Sequence, residues 1–138
     1  MSRSRARSVA MQLAFERALG GDGGEYSISA AYEQLGKKPG YEPPQTDKDY
    51  IRYTMDGISS HLYDIDTMIE KNSIGWSLNR MAKVDLTILR LALFEMLYND
   101  NVPDNVAISE AVELANRYSD PAGSRFINGI LGAVQRKL

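Results

Sequence analysis

Apolar residues occupy nearly every angular position around a helix from Val84 to Tyr98, VDLTILRLALFEMLY, with polar interruptions at Asp85, Thr87, Arg90 and Glu95. A helix apolar on all sides has to be surrounded. The stretch falls short of the roughly 20 apolar residues that cross a bilayer, so the jacket is expected to be the protein's own helices. Upstream, Ala6, Val9, Ala10, Leu13 and Ala14 recur in steps of one, three and four and mark one face of a helix over 4–19. Gly20, Gly21, Gly23 and Gly24 end it, because a glycine run favours coil over helix. A short helix is expected over 29–35, followed by a loop over 37–46 that holds Pro39, Gly40, Pro43 and Pro44.

Thr46 or Asp47 is the expected cap of the next helix, since a side-chain oxygen there can accept an unpaired backbone N–H. Ile51, Met55, Ile58, Leu62, Ile65 and Ile69 then trace one long amphipathic helix over 49–71. Gly57 sits inside it at a cost of about 1 kcal/mol relative to alanine, which points to a neighbouring helix passing close by. Asn72 to Gly75 breaks the pattern, and Trp76 reads as an aromatic anchor before one turn that leads into the apolar rod. The rod stops at Asn99-Asp100-Asn101-Val102-Pro103. A helix over 105–118 carries Val106, Ile108, Val112 and Leu114, and a last helix carries Phe126, Ile127, Ile130, Leu131 and Val134. No strand pattern competes, so the chain is expected to be all-α, a compact bundle of about six or seven helices in one domain over 1–138.

Composition narrows the chemistry. With 138 residues, 43% of them hydrophobic and 25% charged, the chain has the make-up of an ordinary globular protein. It has no cysteine, hence no disulfide, thiolate metal site or thiol nucleophile, and its one histidine, His61, excludes multi-histidine metal sites. The net charge of -2 argues against indiscriminate coating of nucleic acid, yet Arg3, Arg5 and Arg7 precede every acidic residue. The amphipathic segment that follows them is unlike a signal peptide, and a cytoplasmic protein is expected.

Arginine suits phosphate because its planar fork donates two hydrogen bonds and stays charged. In a helix, Arg3 and Arg7 would share a face with Arg5 nearly opposite, so all three could converge only from an extended arm. The alternative is a solvated terminus. Near the other end, Phe126 lies beside Arg125 and Asn128, the combination that stacks an unpaired base, holds its phosphate and bonds its edge. The alternative is a core role for Phe126. The Gly129–Gly132 spacing fits close helix packing better than a backbone clamp on RNA. Glu110 and Glu113, with Glu95, lack the Glu-x-x-His element of a carboxylate-bridged metal bundle. Glu110 is expected instead to pair with Arg90, and His61 to have a packing or surface role. GGDGG lacks the following Lys-Ser or Lys-Thr of a phosphate loop. No catalytic set, metal site or cofactor is expected.

Five segments together resemble the NusB family of bacterial transcription antitermination factors: R-A-R and the apolar helix from Arg5 to Phe15, W-S-L-N-R at Trp76, V-D-x-x-I-L-R-L-A at Val84, V-P-x-x-V-A-I-S-E-A-V-E-L-A at Val102, and R-F-I-N-G-I-L at Arg125. The resemblance implies two packed helical subdomains. It also implies binding of boxA RNA together with ribosomal protein NusE, in assembling antitermination complexes on RNA polymerase during ribosomal RNA synthesis. By position it assigns RNA contact to Arg3, Arg5, Arg7, Arg125 and Phe126, beside which Asn128 is the candidate for bonding a base edge, and it assigns the surface shared by NusE and the RNA edge to Phe15 and Asp85. Arg7→Ala is then expected to weaken RNA binding, and Asp85→Lys to harm NusE binding. Ser4 interrupts what is often an unbroken arginine run, Gly123 stands where an acidic residue can contact RNA, and Ser109 replaces the usual asparagine in a structural position.

Three other readings compete. A NusB-like module serving rRNA modification or ribosome assembly would share the same RNA surface. An RNA cytosine methyltransferase, to which such domains are also fused, would need a cofactor-binding domain and a cysteine nucleophile beyond what this sequence holds. A helix-turn-helix DNA binder would need a basic recognition helix, whereas the helix over 105–118 carries Glu110 and Glu113. The sequence is compatible with either a monomer or a homodimer.

Overall fold

The computed structural model describes residues 2–20, 30, 31, 33, 43–75 and 77–138. Among these there are six α-helices and no strand: α1 Ser2–Ala18, α2 Gln45–Ser60, α3 Leu62–Lys71, α4 Lys83–Tyr98, α5 Asp104–Tyr118 and α6 Pro121–Lys137, with a 3-10 turn at Leu78–Arg80 before α4. The chain divides into two compact units, Met1–Asp56 and Gly57–Leu138, with the boundary falling inside α2. Most of the helix expected over 29–35, most of the loop over 37–46, the glycines of GGDGG and the Trp76 anchor lie outside the described residues. Among the described residues no helix is long and apolar enough to cross a membrane.

In the first unit, α1 is helical from Ser2, so the arginines lie on a helix and not on an extended arm. Ala6, Val9, Ala10 and Leu13 are buried as the spacing predicts, and Arg7, Ser8 and Met11 are buried with them. The helix ends where the Leu19 N–H reaches back to the Phe15 carbonyl, and Gly20 takes the left-handed conformation (φ 106°) that other residues rarely adopt. The next helix starts at Gln45, earlier than the Thr46 or Asp47 cap allows. The Pro44 carbonyl takes the N–H groups of Asp47 and Lys48, and the Gln45 amide donates to Asp49 Oδ1 at 2.9 Å.

In the second unit α4 is the rod that the others enclose, packing against α3, α5 and α6. Every residue from Asp85 to Met96 is buried except Arg90. Two of its polar groups are paired: Thr87 Oγ1 donates to the Lys83 carbonyl at 2.8 Å, and Arg90 holds both carboxylate oxygens of Asp66 at 2.8 and 2.9 Å. Arg90 thus has the partner its setting demands, but the partner is Asp66 on α3 rather than Glu110. Gly57 also behaves as its position predicts, because a Cβ there would collide with the Phe94 ring.

The single helix expected over 49–71 is two helices broken at His61, whose ring stacks on Tyr98 at 3.8 Å and 11°. The break turns Leu62 out of the stripe, leaving it 37% exposed while Ile58 and Ile65 stay buried. In α5 the buried face is Ala107, Ala111, Leu114 and Ala115, and Val106 faces outward. Small residues let α5 lie close to the rod, a preference that a pattern based on large apolar residues overlooks. The last helix is capped by Asp120, whose Oδ1 accepts the Gly123 N–H at 2.7 Å, with Pro121 in the first helical position. At its far end Lys137 Nζ donates to Asn72 Oδ1 at 2.8 Å.

The Gly129–Gly132 pair does not mediate helix packing: Gly129 is exposed with open space where a Cβ would stand, and Gly132 meets only the Arg136 side chain. A mid-helix glycine with no steric reason costs backbone entropy, so Gly129→Ala is expected to raise the unfolding free energy by about 0.5–1 kcal/mol in urea denaturation.

Candidate functional site

Two groups of residues emerge, one in each unit. In the first, the opening turn of α1 holds Arg3 and Arg5 and no acidic residue. The free N–H groups of a helix start already carry partial positive charge, so arginines there intensify a field suited to an anion. Arg3 and Arg5 are exposed, whereas Arg7 is only 4% exposed. The guanidinium carbons of Arg3 and Arg7 lie 4.3 and 5.7 Å from the centroid of the Tyr50 ring on α2. The helix therefore divides the three arginines: Arg3 and Arg7 on one face, Arg5 pointing elsewhere, and Arg7 withdrawn from solvent. Phe15 lies half-buried near the end of the same helix.

In the second unit, a surface cavity of about 340 Å³ is lined by Arg80, Met81, Ala82, Asp85, Asp120, Ala122, Gly123 and Phe126. The turn Leu78–Arg80, the start of α4 and the start of α6 converge on it. Phe126 is half-buried and belongs to this wall, not to the sealed core. Arg125 and Asn128 are exposed on α6. Arg125 does not line the cavity, and the cation that does is Arg80. Sequence reasoning missed Arg80, Met81 and Asp120 as cavity residues; the W-S-L-N-R run was the available signal for Arg80.

Asp85 is 9% exposed and accepts the Ser119 hydroxyl at 2.6 Å, so it is an internal brace as well as part of the wall. Lysine at position 85 would break that brace along with any partner contact. Gly123 is buried, and a Cβ on it would collide with Ser119 Oγ and stand 2.9 Å from both Asp85 carboxylate oxygens. This accounts physically for a glycine where an acidic side chain was considered. Gly123→Ala is expected to lower the unfolding free energy by about 1–3 kcal/mol, the range of overpacking costs, because its methyl displaces the Ser119 hydroxyl from the Asp85 carboxylate it is bonded to. Thermal or urea unfolding measures it.

The cavity combines an aromatic wall and a thioether with two carboxylates and one guanidinium. Carboxylates repel a phosphate but accept the N–H groups of a heterocycle, so the chemistry suits a flat, uncharged ring better than an anion. Among the described residues no group of three or more His, Asp or Glu side chains is placed to hold a metal ion.

Comparison with known proteins bears on both groups. The NusB family profile matches residues 4–136. The transcription antitermination protein NusB of Acetivibrio thermocellus is 43% identical over 134 residues, covering 97% of this chain and 88% of that protein. The T. maritima NusB structure superposes with a TM-score of 0.81 at 31% identity, covering 98% of this chain and 91% of that one. A crystal structure of antitermination factors NusB and NusE in complex with dsRNA gives a TM-score of 0.82 at 24% identity over 99% of this chain and 98% of the other, a likeness of fold. With the motifs from Arg5 to Leu131 and the rod-centred helical architecture accounted for together, the chain belongs to the NusB family of transcription antitermination proteins.

Proposed function

We propose that this protein is a non-enzymatic adaptor that binds single-stranded boxA RNA together with NusE and helps to assemble antitermination complexes on RNA polymerase in ribosomal RNA synthesis. The observation that carries the reading is the cavity of about 340 Å³ walled by Phe126, Arg80, Asp85 and Asp120, which fits an unpaired base. Exposed Arg3 and Arg5 at the acid-free start of α1 supply phosphate contacts, and exposed Arg125 and Asn128 supply further contacts to the strand. Phe15 and Asp85 are the positions shared by NusE and the edge of the RNA, with Arg7 acting from beneath the surface. A relative named as an antitermination protein at 43% identity supports the reading, and the same fold in a complex with NusE and dsRNA supports NusE and RNA as the partners. RNA and NusE bound to one protein raise each other's effective concentration, so neither contact has to be tight alone.

The test is a titration of boxA RNA and a scrambled control, with and without NusE, followed by native gel. Preferential, NusE-enhanced binding of boxA is the expected result, and equal binding of both RNAs would sink the assignment. Arg3→Ala is expected to weaken boxA binding a few-fold at low salt and to flatten the plot of log K against log salt by about 0.7, the contribution of one phosphate contact to a single strand. An unchanged slope would remove Arg3 from the interface.

A further inference from the structure

We infer that Tyr50 is a positioning residue for the phosphate grip, its ring serving as a shelf that holds the Arg3 guanidinium while leaving its N–H donors to the RNA. The inference rests on the reading above that Arg3 contacts RNA phosphate. Both Arg3, at 4.3 Å, and Arg7, at 5.7 Å, lie within the range at which a cation is drawn to an aromatic face, about 6 Å from the centroid. Tyr50 is 7% exposed, whereas Arg3 remains exposed, so the ring is buried beneath a cation that still faces solvent.

This arrangement solves a specific problem. A long side chain on the first turn of a helix samples many rotamers, and ordering it on binding opposes association. A carboxylate partner would order it too, but would occupy its donors and cancel its charge. The face of a ring attracts the cation without the strong N–H acceptors that a carboxylate would bring. The ring neither neutralises the charge nor occupies all five N–H donors, so donors for a phosphate stay available. The electron-rich ring also offsets the repulsion between Arg3 and Arg7, two like charges one turn apart. Arg7, buried at 4% exposure, is the inner of the two cations near the ring, and Arg3 is the exposed one that meets the ligand.

The experiment replaces Tyr50 with phenylalanine and then with phenylalanines carrying increasing numbers of ring fluorines, which keep the shape while draining the negative face. Affinity for boxA RNA is measured at one salt concentration for the full chain, in the wild-type and Arg3→Ala backgrounds, with a thermal unfolding curve for each variant. Comparison against Tyr50→Phe cancels any contribution of the hydroxyl. Affinity is expected to fall stepwise with fluorination, by about three- to five-fold across the series, and to stay flat in the Arg3→Ala background. A series flat in both backgrounds, or equally steep in both, overturns the shelf. If Arg3→Ala itself binds boxA like wild type, the phosphate assignment fails and the shelf with it. A loss on Arg3→Ala with a flat fluorine series removes the shelf alone.

Discussion

Phe94→Ala is expected to lower the unfolding free energy by about 3–5 kcal/mol, the range for deleting a large buried ring. The ring is 1% exposed, lies 6.0 Å from the Tyr98 ring, and fills the notch that Gly57 leaves on the facing helix. Gly57→Ala alone is expected to cost about 1–3 kcal/mol, because its methyl enters space the ring already holds. In the Phe94→Ala background the same methyl enters vacated space, and its cost is expected to vanish or change sign. Urea denaturation of the two single variants and the double variant measures that coupling. Strict additivity would mean that the notch and the ring do not meet.

Phe126→Ala is expected to weaken boxA RNA binding by about 1–3 kcal/mol, the worth of one base stacked on an aromatic ring. The cost to folding should be smaller, because Phe126 is half-buried and the start of its helix is secured independently by Asp120 and Pro121. Phe126→Trp keeps a π-face and is expected to retain binding. Fluorescence anisotropy alongside thermal unfolding separates the two effects. Unchanged affinity on Phe126→Ala would take the cavity out of RNA recognition, whatever happened to stability.

The two substitutions probe features of unequal legibility. Phe94 and Gly57 could be anticipated, since a rod apolar on all sides and a glycine in a neighbouring helix both imply a close crossing. The Arg90 partner could be anticipated in kind but not in identity. A cation on an apolar helix needs an anion, yet whether Asp66 or Glu110 supplies it depends on which helix lies across from it. The break at His61 was invisible because a step of three or four continues through Leu62 even where the backbone turns. The face of α5 was misread for another reason: Ala107, Ala111 and Ala115 are weakly hydrophobic but small, and close packing rewards small side chains.

The candidate site shows the same division. Phe126 and the arginines stood out by residue type and neighbourhood. Arg80, Asp120 and Gly123 drew their meaning from convergence of a turn and two helix starts, which no local window contains. Tyr50 lay 43 residues beyond Arg7, and nothing in its own neighbourhood marked it as the partner of two cations.

By itself the amino-acid order determined the all-helical class, the central rod, most boundaries and the family, because periodicity, capping chemistry and motif spacing act over a few residues along the chain. Only the tertiary structure decided which arginine is buried and which faces solvent, which acid holds Arg90, and which side chains share a cavity. Those outcomes depend on which surfaces meet when distant segments pack, and a one-dimensional pattern states what each segment must bury without naming what it will be buried against.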